Sequence, residues 1–434
     1  MERQTSSLDL EEKKDIIWEL HEALLKDKGV DVDFYLKNNE MPLGTLSKPA
    51  WMFKGDIPKE EVYSIPMSKP YEPEPAMCLG IAGCGKTYFM KRAMYYYYKK
   101  GYNTFIFEPK EEEWINARNK PANRGLAPNE KPDSIDIIGL APSYIFVKHP
   151  INSLGKNYIN VSLNLKKLRH QDYREFWVSL GLTEYTTDWV REKLEKYSTI
   201  NDFIDMLKTS KELGSAGKHL YNRLSPLKND ILFNKVYYKK IVDTVYKIDF
   251  KELDSELIKL LWKKRKAILL TFVYPDKRYL PAYFYYMMKT FHDITIEYEF
   301  KNEGKIHKKF IGIDDCNYFV PINSNNPAVE MGIISLVTWR KHGFEMWFAT
   351  QHPKMVNEQI IANCKHFFIY NIGLPESMKF IIKDPKIYKL ILNLKYNIHK
   401  KIVQVMHLQA DGKTYKIFYP FLSPIGHFKS TEGK

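Results

Sequence analysis

One stretch, Gly80-Ile81-Ala82-Gly83-Cys84-Gly85-Lys86-Thr87, constrains this chain more than any other. It fits the pattern G-x-x-x-x-G-K-[ST]. Glycine has no Cβ, so a loop built on Gly80, Gly83 and Gly85 can wrap tightly and turn its backbone N–H groups toward an anion. The apolar run Ala76 to Leu79 reads as a strand entering the loop. Thr87 to Lys100 reads as a helix leaving it, closed by Lys99, Lys100 and Gly101. The N-terminal end of that helix adds positive potential where the phosphates would sit. Gly80, Gly83, Cys84, Gly85, Lys86 and Thr87 are therefore the expected nucleotide-binding residues. Lys86 is expected to reach the β- and γ-phosphates, and Thr87 to ligate a metal through its hydroxyl. The expected ligands are ATP and Mg²⁺.

Hydrolysis at such a loop needs a second acid at the tip of a buried strand. Phe310-Ile311-Gly312-Ile313-Asp314-Asp315 supplies one. Asp314, at the strand tip, is the second expected Mg²⁺-holding residue. Asp315 is placed to polarise an attacking water as general base. A buried strand ending in a polar turn would look the same, and it is the loop upstream that favours the catalytic reading.

The remaining chain suggests an α/β protein. Asp9 to Lys28 reads as a helix capped by Asp9 and ended by Gly29. Prolines recur from Pro42 to Pro75, which predicts an extended arm lying over its own domain or a neighbouring subunit. Strands are expected at Thr104 to Phe107, Ala267 to Val273, Lys309 to Asp314, Met346 to Thr350 and Phe367 to Tyr370. Helices are expected at Ile248 to Lys266 and Tyr279 to Phe291, and Leu165 to Val236 has helical spacing throughout. The implied division is an N-terminal helix (1–29), a proline-rich arm (30–75), a first core part (76–164), an α-helical insertion (165–236) and a second core part with C-terminal strands (237–434). Strands alternating with helices give a mostly parallel sheet covered on both faces.

With both motifs placed, the chain resembles the FtsK/HerA superfamily of ring-forming, DNA-pumping ATPases within the additional-strand P-loop class. Further stretches carry the likeness: Phe107-Glu108-Pro109-Lys110, Cys316-Asn317-Tyr318-Phe319-Val320-Pro321, Arg340-Lys341-His342-Gly343 and Ala349-Thr350-Gln351-His352-Pro353. They span residues 76 to 375 in the family's order and spacing; neither end of the chain nor the helical segment has a matching motif. The resemblance implies a RecA-like additional-strand P-loop NTPase core. It also implies catalytic roles for Asp315, Gln351, Arg340 and Glu108. Gln351 would sense the γ-phosphate or its water, and Arg340 would act as an arginine finger on a neighbour. Glu108 would orient the water or cap a turn. Arg278 and Arg223 are further arginine candidates. This sequence departs from the family in one place: most hydrolytic members carry Glu where Asp315 stands, and Asp is one methylene shorter.

Partners follow partly from charge. Lys and Arg number 66 against 52 Asp and Glu, a formal net charge of +14, which favours polyanions. With the resemblance, this points to double-stranded DNA moved by a ring-shaped homo-oligomer, expected to be a hexamer. A viral capsid or a membrane complex is a further possible partner. Basic stretches at Lys166-Lys167-Leu168-Arg169 and Lys305 to Lys309 are candidate DNA grips or solvated faces, whereas Lys263 to Lys266 reads as the basic end of a helix, where positive charge is locally favourable. Tyr95 to Tyr98 reads as core rather than a base-stacking platform. No apolar run is long enough for a membrane span and the first residues lack an apolar signal region, so the expected location is cytoplasmic or virion-associated. The four cysteines are not spaced as a metal pair or a disulfide framework. A secretion or filament-assembly motor, a nucleotide-gated scaffold with weak turnover and a metabolic kinase are the alternatives; the Thr-Gln-x-Pro stretch speaks against the kinase.

Overall fold

Short apolar runs flanked by turns are long enough to be buried strands and too short to be helices. They assemble into a 13-stranded sheet. The structure, a computed structural model, describes residues 32–69, 72–109, 137–141, 158–197, 199–209, 214–228, 236–241, 244–249, 251–260, 269–273, 278–322, 325–370, 382, 384–397 and 402–421. The helix expected at Asp9 to Lys28 lies outside them. The strands are β1 (Glu40–Thr45), β2 (Val62–Pro66), β3 (Ala76–Leu79), β4 (Asn103–Glu108), β5 (Ile137–Ala141), β6 (Tyr158–Ser162), β7 (Val236–Ile241), β8 (Thr244–Asp249), β9 (Lys251–Glu252), β10 (Leu269–Val273), β11 (Lys309–Ile313), β12 (Phe344–Thr350), β13 (His366–Ile369), β14 (Tyr396–Asn397), β15 (Ile402–Val403), β16 (Val405–Gln409) and β17 (Tyr415–Pro420). The large sheet runs β2-β1-β17-β16-β13-β3-β12-β11-β4-β10-β5-β6-β9. From β13 to β9 all pairings are parallel. From β13 outward through β16, β17, β1 and β2 they are antiparallel. Strand β12 lies between β3 and β11, which is the additional strand of the class. The expected α/β, mostly parallel, RecA-like core is present.

The centre of the sheet is buried on both faces because β3, β4, β11 and β12 carry apolar side chains at successive positions. Met77, Leu79, Phe105, Phe107, Ile311, Ile313 and Phe348 join one core. Their chain neighbours Ala76, Cys78, Ile106, Phe310, Trp347 and Ala349 join the other. The second face is covered by helix α1 (Lys86–Lys99), whose Phe89, Met90, Ala93, Met94 and Tyr95 to Tyr97 are buried. The tyrosine run is thus core, as its position on this helix implied. The first face is covered by α2 (Leu280–Lys301) and α3 (Pro327–Val337). Short helices between Leu165 and Leu224 pack beside α2, with Tyr173 and Phe176 ring centroids 5.3 and 6.2 Å from that of Tyr286.

Several expectations change. The proline-rich stretch is not a separate arm: it supplies the two outermost strands on one side of its own domain's sheet, β2 at the edge and β1 between β2 and β17. Pro42 is tolerated because it stands at a bulge, where the register shifts between Pro42 and Gly44, and Pro66 closes the outermost strand. The Arg92 guanidinium on α1 donates to the Pro42 carbonyl at 2.5 Å, tying these strands to the core. The helix expected from Ile248 begins only at Leu253 and runs to Ile258, since Thr244–Asp249 pairs antiparallel with Val236–Ile241. Alternating Val, Tyr and Ile suit a pleated surface better than a helix. Residues 261–268 are outside the described residues, and with them Lys263 to Lys266.

A partly buried relay, with His407 at its buried centre, fastens these outer strands to β13. Tyr63 Oη lies 2.6 Å from His407 Nδ1. His407 Nε2 is 2.8 Å from His366 Nδ1, and His366 Nε2 is 3.0 Å from Glu74 Oε2. Lys365 pairs with the other Glu74 oxygen at 3.1 Å. Burial pushes the His407 imidazole down to about 3, aided by His366. Burial lowers His366 as well, although Glu74 opposes it. The His407 ring therefore stays neutral in the fold and becomes free to charge near pH ~6.5 when the chain unfolds. Its contribution to stability is present above that pH and is lost as pH falls toward about 3. Between pH 7 and 5 the His407 part amounts to about 2 kcal/mol. Urea unfolding at the two pH values is expected to show a smaller pH dependence, by about that amount, in His407→Phe than in the native chain.

Candidate functional site

The carboxyl ends of β3, β12, β11 and β4 meet at one edge because these strands are parallel and adjacent. In open α/β sheets this edge is where ligands bind. The glycine loop leaves β3 here, and Gly80 N–H reaches the Thr350 carbonyl at 3.4 Å. Gly83 and Gly85 take φ of 74° and 104°, conformations that L side chains rarely adopt. A Cβ on Gly80 would stand 2.7 Å from both Cys84 Sγ and Tyr370 Cβ. Lys86 opens α1 and is buried. Its ammonium donates to the Gly80 and Ile81 carbonyls, each at 2.8 Å, and lies 3.8 Å from Cys84 Sγ. Burial raises the Cys84 thiol while Lys86 pulls the other way, so the sulfur packs rather than reacts.

The two sequence motifs meet through one side-chain hydrogen bond. Thr87 Oγ1 donates to Asp314 Oδ2 at 2.9 Å, across 227 residues of sequence. Asp314 Oδ1 accepts from the Asp315 N–H at 3.0 Å. Asp314 N–H donates to the Phe107 carbonyl at 3.0 Å, which extends the β11–β4 ladder by one step and sets Asp314 beside Glu108. Asp315 takes a left-handed backbone, φ 45° and ψ 52°. Among side-chain-bearing residues Asp and Asn tolerate this best. Gln351, just past the tip of β12, donates through Nε2 to Asp315 Oδ1 at 3.2 Å. Thr350 Oγ1 in turn donates to Asn317 Oδ1 at 3.1 Å and accepts from His352 N–H at 3.0 Å, which holds the two tips together.

So Gly80 to Thr87, Asp314, Asp315 and Gln351 form one connected cluster, with the buried Glu108 at its side. Arg340 does not join it. It is exposed, in the turn Trp339–His342 that precedes β12, at the opposite edge of the sheet. The length of β12, about 20 Å at ~3.3 Å per residue, separates it from its own loop. Arg223 serves a local purpose, donating through Nε to the Leu180 carbonyl at 2.9 Å. Arg278 is exposed beside the Tyr279 ring, 5.5 Å from its centroid. Two of the proposed DNA grips are also committed elsewhere. Lys309 is buried, and Lys167 pairs with Asp254 at 3.1 Å. Sequence reasoning missed Tyr370, the buried floor of the loop, and gave no role to Asn317; only their places beside strand tips hint at either.

The cluster suits a hard cation. Thr87 and Asp314 offer oxygens close enough to share one ion, as Mg²⁺ prefers. Among the described residues no group of three or more His, Cys, Asp or Glu could hold a metal. A cation here would therefore depend on phosphate oxygens and water for its remaining ligands. Gly80→Ala is expected to lower the unfolding free energy by about 1–3 kcal/mol through overpacking. Gly55→Ala, with nothing within 4 Å of the added carbon, is the denaturation control.

No protein-family model matches the chain, and no curated protein matches its sequence. Solved structures do share its shape. VirB4 of Thermoanaerobacter pseudethanolicus aligns with a TM-score of 0.52 at 11% identity, covering 88% of this chain and 96% of its own. The plasmid coupling protein TrwB, in complex with the non-hydrolysable ATP analogue ADPNP, aligns with a TM-score of 0.53 at 10% identity, covering 93% and 95%. TrwB in complex with the GTP analogue GDPNP gives 0.51 at 11% identity, covering 92% and 94%. Likeness at such low identity establishes the fold alone, a mostly parallel, RecA-like P-loop NTPase core.

Proposed function

We propose that this chain is an ATP-hydrolysing motor that works as a ring of identical subunits and moves double-stranded DNA. The observation that supports it most is the unbroken chain of hydrogen bonds from Thr87 through Asp314 and Asp315 to Gln351. It supports reading the glycine loop as the nucleotide-binding element, Asp314 as the metal-holding carboxylate, Asp315 as the general base and Gln351 as the amide sensor of one site. Lys86 would exchange its carbonyl partners for β- and γ-phosphate oxygens. Mg²⁺, when bound, would neutralise charge on the phosphates. Asp315 then takes a proton from the attacking water, and Gln351 holds Asp315 and feels the departure of the γ-phosphate. Because Gln351 follows directly on β12, its movement is passed along a rigid strand.

Arg340 fits this scheme only in trans. Exposed and at the far edge, it would meet the phosphates of the next subunit and stabilise charge on the transferring group. Glu108 would hold the water from the side opposite Asp315. The surplus of basic residues supports an anionic polymer as the cargo. Lys166 is exposed, whereas Lys309 cannot take part, so any grip uses fewer of the basic stretches than the sequence offers.

Hydrolysis of ATP by the purified protein, measured with and without linear double-stranded DNA, tests this reading. Several-fold stimulation that disappears in Lys86→Ala is expected. DNA-indifferent hydrolysis would favour a motor for protein secretion or assembly, and no hydrolysis a nucleotide-gated scaffold. Asp315→Asn keeps a residue tolerant of the left-handed backbone but removes the base. It is expected to lower kcat by about 10²–10⁴-fold while nucleotide affinity persists.

A further inference from the structure

We infer that Tyr396 is the wall on which the base of a bound nucleotide stacks. This rests on the nucleotide-binding reading above and assigns the half of the site that the phosphate motifs leave open. Lys86, Thr87, Asp314, Asp315 and Gln351 act on phosphate, metal and water and leave the base without a contact. Strand order decides where that base lies. At the ligand edge the sheet runs β13-β3-β12-β11. The bonds from Thr87 to Asp314 and from Gln351 to Asp315 set the γ-phosphate end on the β12 and β11 side of the glycine loop. The ribose and base of a nucleotide laid along the loop therefore emerge on the other side, over the tip of β13.

The chain beyond β13 brings Tyr396 to that side. Ile387, Ile391 and Leu394 belong to the core that α2 and α3 cover. Two residues after Leu394, Tyr396 packs against the other core, beneath α1. The register that pairs Ile369 with Met406 puts Val405 level with Tyr370, at the carboxyl end of β13. Val403 comes two residues before Val405 and pairs with Tyr396, so this pair stands just past the carboxyl edge. Ile81, inside the glycine loop, is half-buried against the same core, which also holds Cys84, Phe89 and Tyr370. Burial raises the Tyr396 hydroxyl, and the nearby Cys84 thiol of the loop pushes it the same way.

The ring is held before any ligand arrives. Lys395 N–H donates to Gln404 Oε1 at 2.9 Å, and Gln404 N–H donates back to the Lys395 carbonyl at 2.9 Å. Gln404 Nε2 donates to Tyr419 Oη at 3.1 Å, which ties the pair to β17. Tyr396 is only half-buried. Tyr370, packed against Gly80, is 1% exposed and has no face to offer. A fixed aromatic ring stacks on the π-face that every base has, so it adds affinity without choosing between adenine and guanine. The ligand is a purine nucleoside triphosphate, and selection between purines is left to other groups.

The test is calorimetric titration of the full-length protein, with Mg²⁺, by non-hydrolysable analogues of ATP and GTP and by inorganic tripolyphosphate, which has no base. The native chain is compared with Tyr396→Ala and Tyr396→Phe. Tyr396→Ala is expected to weaken both analogues about tenfold and to leave tripolyphosphate within about twofold. Tyr396→Phe, which keeps the ring, is expected to bind all three like the native chain. Unchanged affinity for the analogues in Tyr396→Ala would overturn the inference. Equal weakening of analogues and tripolyphosphate would make Tyr396 a support of the loop and overturn it too. A Tyr396→Phe variant as weak as Tyr396→Ala would assign the effect to the hydroxyl and exclude stacking. The titration needs neither hydrolysis nor DNA, so any of these results leaves the motor reading standing. A native chain that binds no analogue would remove the base site and the nucleotide-binding reading together.

Discussion

The hydrogen bond between Thr87 and Asp314 is the contact on which the rest of this architecture converges. It joins residues 227 positions apart, so it exists only if β3, β12, β11 and β4 stack in that order and register. Strand β12 must lie between the loop strand and the aspartate strand, because its tip brings Gln351 to Asp315. The result is a costly arrangement: Asp314, Asp315 and Glu108 are all buried at one edge. Buried carboxylates need donors or cations around them. Thr87, the Asp315 N–H and Gln351 provide donors, and the lysine of the loop stands nearby. A divalent cation bound beside Asp314 would supply further positive charge there.

The sheet that holds this edge is stiff because both faces are packed. Alternate residues of the same strands feed separate cores, so a strand cannot slip by one residue without exchanging its two sets of side chains. Beyond β13 the sheet turns antiparallel, and the partly buried chain Tyr63–His407–His366–Glu74 crosses that junction. Glu74 stands just before β3. The outer strands are therefore fastened close to the root of the strand that delivers the glycine loop.

Much of the site was legible because its parts are local. Gly80 to Thr87 is a contiguous pattern in which Gly83 and Gly85 stand where the chain takes positive φ and Gly80 where a Cβ would not fit. Phe310 to Asp315 is an apolar run with its acids at the end. The helix starting at Leu280 and the strands β11 to β13 were visible from their lengths alone, although α2 runs to Lys301, beyond the expected Phe291. What failed depended on distant partners. Prolines at 42 and 66 suggested an extended arm and no central strand, yet a bulge at Pro42 and the edge position of Pro66 let both join the sheet. The stretch around Ile248 carries apolar residues that serve either period, and only its partner Val236–Ile241 decides for strand. Lys309 looked like part of a basic grip, but it begins β11 and burial lowers its ammonium to about 7. The histidine relay could not be anticipated, because Glu74 and His366 are 292 residues apart.

The central claim is that Thr87 and Asp314 together hold a metal against bound nucleotide. Its most direct test is the affinity for a fluorescent ATP analogue, measured with Mg²⁺ and with a chelator in the native chain and in Asp314→Asn. The account predicts affinity at least about tenfold higher with Mg²⁺ in the native chain, and loss of that difference in the variant. Equal affinity with and without Mg²⁺, or an unchanged metal effect in Asp314→Asn, would contradict it.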